Sequence, residues 1–274
     1  MMVIPQNQSI LIDTDAIVRK INHGKLLPRP VMYLIRKFIH EDDFNREFKK
    51  GLVGYEFLED FLDSIDVKVS IIGKEIIPAE GYFTFVSNHP LGGADAGMEL
   101  AFLARKYDGN VITAANSFLL NLKQIASYLI PVNKMGAQSK ELAVQLDDAF
   151  KSDRQVLFFP AGLCSRKING EITDLPWKKT FITKSRQTHR DIIPVWFSGQ
   201  NSKRFYRIAK FRKIFKIKSN LEMFTLPDEL FRYRGQRFKM VIGKPIPYST
   251  FTSEKTDLEW AQWVKEQVYA LKQN

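Results

Sequence analysis

The amino-acid sequence predicts an α/β domain that follows a helical region. From residue 67 onward, short runs rich in β-branched and aromatic residues alternate with segments of helical periodicity. This alternation is typical of a sheet covered by helices. Before residue 67, apolar side chains recur at helical spacing. The predicted organisation is therefore an N-terminal helical region over 1–66 and an α/β domain over 67–274.

Three stretches of the N-terminal region have helical character. Asp13 offers an N-cap to a first helix, and Pro30 suits an early position in a second helix over 29–40. Residues 44–65 continue the pattern, with apolar or aromatic side chains at helical spacing. These stretches predict that the chain begins with a layer of helices.

The rest of the chain alternates between expected strands and expected helices. Strands are expected at 67–73, 82–88, 110–115, 155–162, 192–199 and 237–246. Helices are expected at 96–107, 140–151, 181–188 and 255–271. Gly73 is expected to end the first strand, because glycine interrupts a strand pattern.

Composition restricts the classes of function. The 274 residues are 45% apolar and 26% charged, as in a globular protein. The net charge of +11 favours an anionic partner, such as a membrane surface, a phosphate-bearing ligand, an acidic carrier protein or nucleic acid. Solubility alone also explains part of such a charge. The single cysteine, Cys164, excludes an intrachain disulfide and suits a reducing compartment.

Any contact with a membrane is expected to be peripheral. Nowhere do the roughly 20 consecutive apolar residues of a transmembrane helix occur. The N-terminus carries early acidic residues and lacks the apolar core of a signal peptide. Two segments, 26–40 and 202–218, mix Lys and Arg with large apolar residues. Each predicts either an ordinary basic surface or a contact with anionic lipid.

The stretch "FTFVSNHPLGGADAGMEL" at 83–100 carries the strongest candidate site. Its apolar run ends just before His89, at the carboxyl end of a strand, where open α/β sheets form their sites. A neutral imidazole can take a proton from a hydroxyl, and a carboxylate such as Asp95 can orient it. Gly92 and Gly93 would let the chain fold back between them. A helix cap formed by Asp95 explains the same residues, and the two roles are compatible.

Four blocks, in this order, resemble the glycerolipid acyltransferase superfamily over roughly residues 67–248. They are Asn88-His89 with Asp95, Lys134 after a proline, Phe159-Pro160-Ala161-Gly162 followed by Arg166-Lys167, and the strand with Pro194-Val195. Two departures are the five residues between histidine and aspartate and Ala161 in place of the usual glutamate. Both are similar to the hemolysin-like branch, which includes O-acyltransferases that complete amino-acid lipids such as ornithine lipids.

The resemblance implies a mixed, largely parallel sheet flanked by helices and a thioester-dependent O-acyltransferase. His89 would be the general base and Asp95 its orienting carboxylate, with backbone N–H groups near Gly92-Gly93 or Gly162 holding the oxyanion. Substrate contacts are implied for Asn88, Gly92, Gly93, Lys134, Pro160, Gly162, Arg166 and Lys167.

The implied co-substrate is acyl-CoA or an acyl-carrier protein, with no other cofactor and no metal. The implied acceptor is a lysolipid, either a lyso-amino-acid lipid or lysophosphatidic acid. The enzyme is expected in the cytoplasm, peripheral on the inner face of the cytoplasmic membrane.

Other function classes fit parts of the sequence. A basic nucleic-acid-binding protein without catalysis would explain the charge and the Lys/Arg–aromatic mixture at 203–218. It would leave His89 and Asp95 unexplained, and the sequence lacks zinc-ligand spacing, an RNP-like motif and a convincing helix-turn-helix. A lipid hydrolase would need a Gly-x-Ser-x-Gly elbow, which is missing. A nucleophilic Cys164 would lack a second histidine nearby in sequence.

Overall fold

The computed structural model describes residues 11–116, 119, 122–132, 140–217 and 220–273. From residue 11 to the first strand the structure has four helices: α1 (Thr14–Ile21), α2 (Arg29–Phe38), α3 (Glu41–Phe48) and α4 (Gly54–Ser64). The carboxylate of Asp13 caps α1 by accepting the N–H of Ala16 at 2.9 Å. Helices α1 and α2 confirm the first two expected helices.

The strands are β1 (Lys68–Ile72), β2 (Thr84–Ser87), β3 (Val111–Asn116), β4 (Leu129–Val132), β5 (Gln155–Phe158), β6 (Arg166–Ile168), β7 (Glu171–Thr173), β8 (Ile192–Phe197) and β9 (Arg237–Ile242). One sheet has the order β1-β9-β8-β2-β5-β3-β4, and β6 and β7 form a separate antiparallel hairpin. Among the described strands of the large sheet, β8 and β9 pair antiparallel and the other neighbours pair parallel. The expected mixed, largely parallel sheet is confirmed.

Helices lie on both faces of the sheet. The later helices are α5 (Gly93–Lys106), α6 (Lys140–Lys151), α7 (Thr180–Thr188), α8 (Lys203–Ile214), α9 (Leu226–Arg232) and α10 (Asp257–Ala270). Phe85 of β2 packs in one core cluster with Phe61 of α4. Its neighbour Val86 packs in a second cluster with Phe181 of α7 and Val264 of α10. Successive strand residues point to opposite faces, so β2 is covered on both sides.

The N-terminal helices share the core of the sheet. Phe57 and Phe61 of α4 belong to the same hydrophobic cluster as Leu157 of β5. The boundary predicted at residue 66 falls in the turn between α4 and β1.

The structure differs from the expected elements in two respects. The helical pattern over 44–65 is broken into α3 and α4, because Gly51 and Gly54 take φ angles of 71° and 66°. Such positive angles are incompatible with a continuous right-handed helix. The sequence reading also missed β4, the β6–β7 hairpin and α9, which are each too short to show a period. It missed α8 as well, because the basic and apolar residues of this segment do not separate into two helical faces.

Candidate active site

His89 lies in the loop that joins β2, at the centre of the sheet, to α5. The preceding Asn88 is buried, and its side chain both donates to the carbonyl of Phe197 (2.9 Å) and accepts from its N–H (2.7 Å). The buried amide of Asn201 donates to the carbonyl of Pro90 at 2.8 Å. These hydrogen bonds fix the loop to the end of β8. The side chain of Asn88 is therefore engaged with the backbone of Phe197.

Asp95 reaches back to the imidazole from the first turn of α5. Its Oδ1 lies 3.1 Å from Nδ1 of His89, in a contact too bent to be a good hydrogen bond. The same carboxylate accepts the N–H of Ala96 at 2.7 Å and that of Leu91 at 2.9 Å. Asp95 thus contacts both the imidazole and the backbone of its own loop, although it is not the cap of α5, whose N-cap residue is Gly92. Catalytic contacts are often poorly aligned without substrate and tighten when it binds.

The imidazole of His89 is oriented with one edge buried. Nδ1 is inaccessible to solvent, whereas the side chain as a whole is 15% exposed. The exposed part therefore belongs to the other side-chain atoms, which include Nε2. The ring of Phe159 packs against the imidazole, with centroids 4.3 Å apart. This arrangement leaves Nε2 as the nitrogen available for proton transfer.

The two glycines after His89 have different surroundings. Gly92 takes a φ of 78°, and a Cβ at this position would lie 2.7 Å from the buried Sγ of Cys164. Gly93 begins α5, is exposed, and has open space where a Cβ would be. The first N–H groups of a helix have no partner within the helix. A substrate oxygen can therefore approach the start of α5 beside Gly93.

The turn that follows β5 lies beside the histidine, because the ring of Phe159 packs against the imidazole. Gly162 has a φ of 66°, and its N–H donates to the carbonyl of Phe159 at 3.0 Å. Pro160 is buried and accepts the N–H of Lys178 at 3.2 Å. The Gly162 N–H already closes this turn, so the start of α5 is the better placed of the two expected oxyanion sites.

The three basic residues singled out in the sequence have different surroundings. Arg166 donates to the buried carboxylate of Glu222 at 2.6 Å and stacks on the ring of Phe205. Its charge is thus already compensated by Glu222. Lys167 lies exposed on β6, and Lys134 falls outside the described residues.

A second buried carboxylate contacts the backbone of the histidine. Asp174 lies between β7 and α7, and its Oδ1 accepts the N–H of His89 at 3.2 Å. Burial raises the pKa of Asp174, and hydrogen bonds from Ser165 and Trp177 partly offset this effect. Sequence reasoning missed Asp174, because an aspartate in a short polar connection carries no pattern that distinguishes it.

A third buried carboxyl group, Glu99, lies one helical turn beyond Asp95. Its Oε1 accepts the hydroxyl hydrogen of Ser87 at 2.8 Å. Burial first, and the charge of Asp95 second, raise the pKa of Glu99 well above its usual range. Among the described residues, no three His, Cys, Asp or Glu side chains are grouped to hold a metal ion.

Comparison with known proteins decides the class of protein. A family model described as acyltransferase matches residues 19–274. The chain belongs to the acyltransferase family. This acyltransferase is 45% identical over 266 residues to a lyso-glycine lipid O-acyltransferase of Bacteroides thetaiotaomicron, covering 95% of this chain and 97% of the relative. A lyso-glycine lipid O-acyltransferase of Phocaeicola vulgatus is 46% identical over 267 residues, covering 95% of each chain.

A solved structure supports the fold of the acyltransferase. The crystal structure of the 1-acyl-sn-glycerophosphate (LPA) acyltransferase PlsC from Thermotoga maritima is similar to it with a TM-score of 0.50. The two chains are 16% identical, and the match covers 94% of this chain and 92% of the other. The resemblance to the glycerolipid acyltransferase superfamily and the enzyme class are confirmed, whereas the assignment to the hemolysin-like branch stays a prediction. The alternative of a nucleic-acid-binding protein without catalysis is wrong.

Acyl transfer is a reaction that the His89–Asp95 pair is equipped to perform. An imidazole that is held at Nδ1 by a carboxylate can remove a proton from a hydroxyl through Nε2. The adjacent start of α5 presents N–H groups to a developing negative charge. The loop therefore brings together an imidazole, a carboxylate and the N-terminus of a helix.

Proposed function

We propose that this acyltransferase transfers a fatty acyl group from an acyl thioester to the hydroxyl of a lysolipid with an amino-acid head group. The observation that carries the proposal is the His89–Asp95 pair at the carboxyl end of the central strand β2. The names of the two relatives support a lyso-glycine lipid as the acceptor.

The proposed reaction is a direct transfer without a covalent enzyme intermediate. Nε2 of His89 accepts the proton of the acceptor hydroxyl while the hydroxyl oxygen attacks the thioester carbonyl. Asp95 stabilises the resulting imidazolium, and the N–H groups at the start of α5 stabilise the oxyanion. The imidazolium then returns its proton to the departing thiolate. Acyl-CoA and acyl-carrier protein both supply such a thioester, and either serves as a co-substrate.

The third block supports an acceptor that lacks a phosphomonoester. Ala161 stands where most members of the superfamily carry glutamate, and its side chain offers no hydrogen bond. The exposed ammonium of Lys178 lies 3.4 Å from the position that a Cβ on Gly162 would occupy. A lysine provides a point charge, which suits a single carboxylate as well as a phosphate. We therefore place the head group of the acceptor beside this turn.

The acceptor proposal is tested by comparing kcat/KM for lyso-glycine lipid and lysophosphatidic acid with the same acyl donor. We expect a preference of about tenfold or more for the lyso-glycine lipid, equivalent to about 1.4 kcal/mol. Each acceptor is assayed with acyl-CoA and with acyl-carrier protein, which identifies the donor. A tenfold preference for lysophosphatidic acid would overturn the acceptor class. Absence of transfer to every lysolipid would overturn the function.

We also propose that the enzyme binds an anionic membrane surface through α8. No helix in the described ranges is both long enough and apolar enough to cross a bilayer. At the C-terminal end of α8, Phe211, Ile214 and Phe215 are each more than half exposed. The same helix carries exposed basic side chains at Lys203, Arg207, Lys210 and Lys213. Basic residues near anionic lipid contribute about 1 kcal/mol each.

Apolar side chains are also exposed on α2, at Val31, Tyr33 and Leu34. This helix lies in the other basic–apolar segment that the sequence singled out. The proposed location is the inner face of the cytoplasmic membrane. The single cysteine supports a reducing compartment for the protein.

Membrane binding is expected to depend on charge and on the aromatic end of α8. In co-sedimentation, binding should increase with the anionic lipid content of vesicles and weaken with salt, which screens charges over about 10 Å at 0.1 M. Replacing Phe211 and Phe215 together by alanine should reduce binding to anionic vesicles relative to the wild-type protein. The control is Leu258→Ala, an equally exposed apolar residue on α10. Equal binding to neutral and anionic vesicles at every salt concentration would contradict the proposal.

A further inference from the structure

Both backbone polar groups of His89 are held by the segment that follows β5. The N–H of His89 donates to Oδ1 of Asp174 at 3.2 Å, and its carbonyl accepts the N–H of Ser165 at 2.7 Å. Asp95 contacts only the ring of the histidine. The orientation of the imidazole thus depends on two separate carboxylates, one on the ring and one on the main chain.

Asp174 is itself held from several directions. Its carboxylate is buried and also accepts hydrogen bonds from the hydroxyl of Ser165 (2.5 Å) and the indole N–H of Trp177 (2.9 Å). All of these partners are donors, as expected for an ionised carboxylate, which can only accept. Its backbone is bound by α10, because the hydroxyl of Tyr269 accepts its N–H at 2.7 Å and Lys265 donates to its carbonyl at 2.7 Å.

We propose that Asp174 is a positioning residue for the reaction: it anchors the main chain of His89 and places a second negative charge beside the imidazole. The proposal rests on the proposed role of His89 as the general base. It assigns a task to the connection between the β6–β7 hairpin and α7 and to α10, which do not otherwise take part in the reaction. Asp174 acts through His89 and need not touch the substrate.

The substitution Asp174→Asn tests the proposal, because the two side chains have the same shape. One carboxylate oxygen faces the N–H of His89 and the other faces the indole N–H of Trp177. An amide must place its NH₂ against one of these donors, so one hydrogen bond is lost in either orientation. We expect kcat to fall about tenfold, with KM within twofold of the wild-type value.

The pH profile separates positioning from a general loss of structure. Asp95 and Asp174 face His89, and Glu99, Lys265 and Tyr269 are the other titratable groups close to these carboxylates. A neighbouring negative charge favours the imidazolium. The acid limb of the kcat/KM profile should therefore move to lower pH in Asp174→Asn.

A second variant keeps the test decisive if Asp174→Asn does not fold. Tyr269→Phe removes the hydroxyl that holds the backbone of Asp174 but leaves the carboxylate in place. Here we expect kcat to fall about threefold, a smaller effect than that of Asp174→Asn. KM and the acid limb of the kcat/KM profile should stay unchanged. The matched control is Asp257→Asn on α10, which loses contacts to Thr183 and Arg186 away from the histidine loop. It should lower Tm and leave kcat, KM and the pH profile unchanged.

The outcomes are distinguishable from failure of the proposed function. Hydrogen exchange of the peptide that contains His89 should be faster in Asp174→Ala, which removes the acceptor of the His89 N–H, than in wild type, and this measurement needs no substrate. Wild-type kcat and pH profile in every folded variant, or unchanged exchange at His89 in Asp174→Ala, would overturn the positioning role. Wild-type protein that transfers no acyl group would instead overturn the function and leave the exchange result standing.

Discussion

Replacing His89 by alanine is expected to abolish acyl transfer while leaving thermal stability nearly unchanged. General base catalysis contributes about 10²–10⁴ to a rate, and no other histidine contacts Asp95 among the described residues. The fold should tolerate the change, because the backbone of residue 89 keeps its bonds to Asp174 and Ser165. The measurement is kcat with saturating acceptor and donor, together with Tm.

The control for His89→Ala is His189→Asn. His189 is exposed at the end of α7 with a φ of 57°, a conformation that asparagine accepts readily. This variant should retain wild-type turnover. If His89→Ala kept more than about a tenth of wild-type kcat, well above the range for loss of a general base, His89 would not be the base.

Replacing Asp95 by asparagine is expected to lower kcat by roughly 10²–10⁴, as for other carboxylates that orient a catalytic histidine. The amide can no longer stabilise the imidazolium. It must also turn its NH₂ toward one of the two backbone N–H groups that the carboxylate accepts, from Leu91 and Ala96. A decrease in Tm should therefore accompany the loss of kcat.

The control variant Thr256→Ala separates the contribution of Asp95 to stability from its contribution to turnover. Thr256 forms the capping box of α10 with Glu259, and its loss should cost about 1 kcal/mol of stability without an effect on kcat. Both variants are compared by kcat and by the free energy of unfolding. An Asp95→Asn protein that loses stability as Thr256→Ala does, but turns over at the wild-type rate, would limit Asp95 to a structural role.

Most of the fold follows from local patterns in the sequence. β2 and β8 are runs of apolar, β-branched and aromatic residues, and α5 and α10 are long enough to show a helical period. β4 was missed, because its four residues include a proline. The hairpin of β6 and β7 was missed, because each strand has three residues and neither faces the main core.

The site was predictable where its residues are neighbours in sequence. His89 and Asp95 are separated by a single loop, so the chemistry of that loop was visible. The contact of Asp174 spans 85 residues and depends on the folded sheet. For Arg166, the sequence shows a basic residue after a motif but not the buried Glu222 that compensates its charge. Its role in binding an anion stays a prediction.

The hydrogen bonds that fix the loop around His89 have a consequence for the order in which the chain folds. Asn88 binds a residue 109 positions later, Pro90 accepts from one 111 positions later, and Asp174 is held by Tyr269 from 95 positions away. Contacts of such long sequence separation form late, after the entropy of closing large loops has been paid. During synthesis, the bonds from α10 to Asp174 form only after α10 has left the ribosome. A nascent chain that still lacks α10 therefore carries the complete histidine motif before Asp174 is held in place.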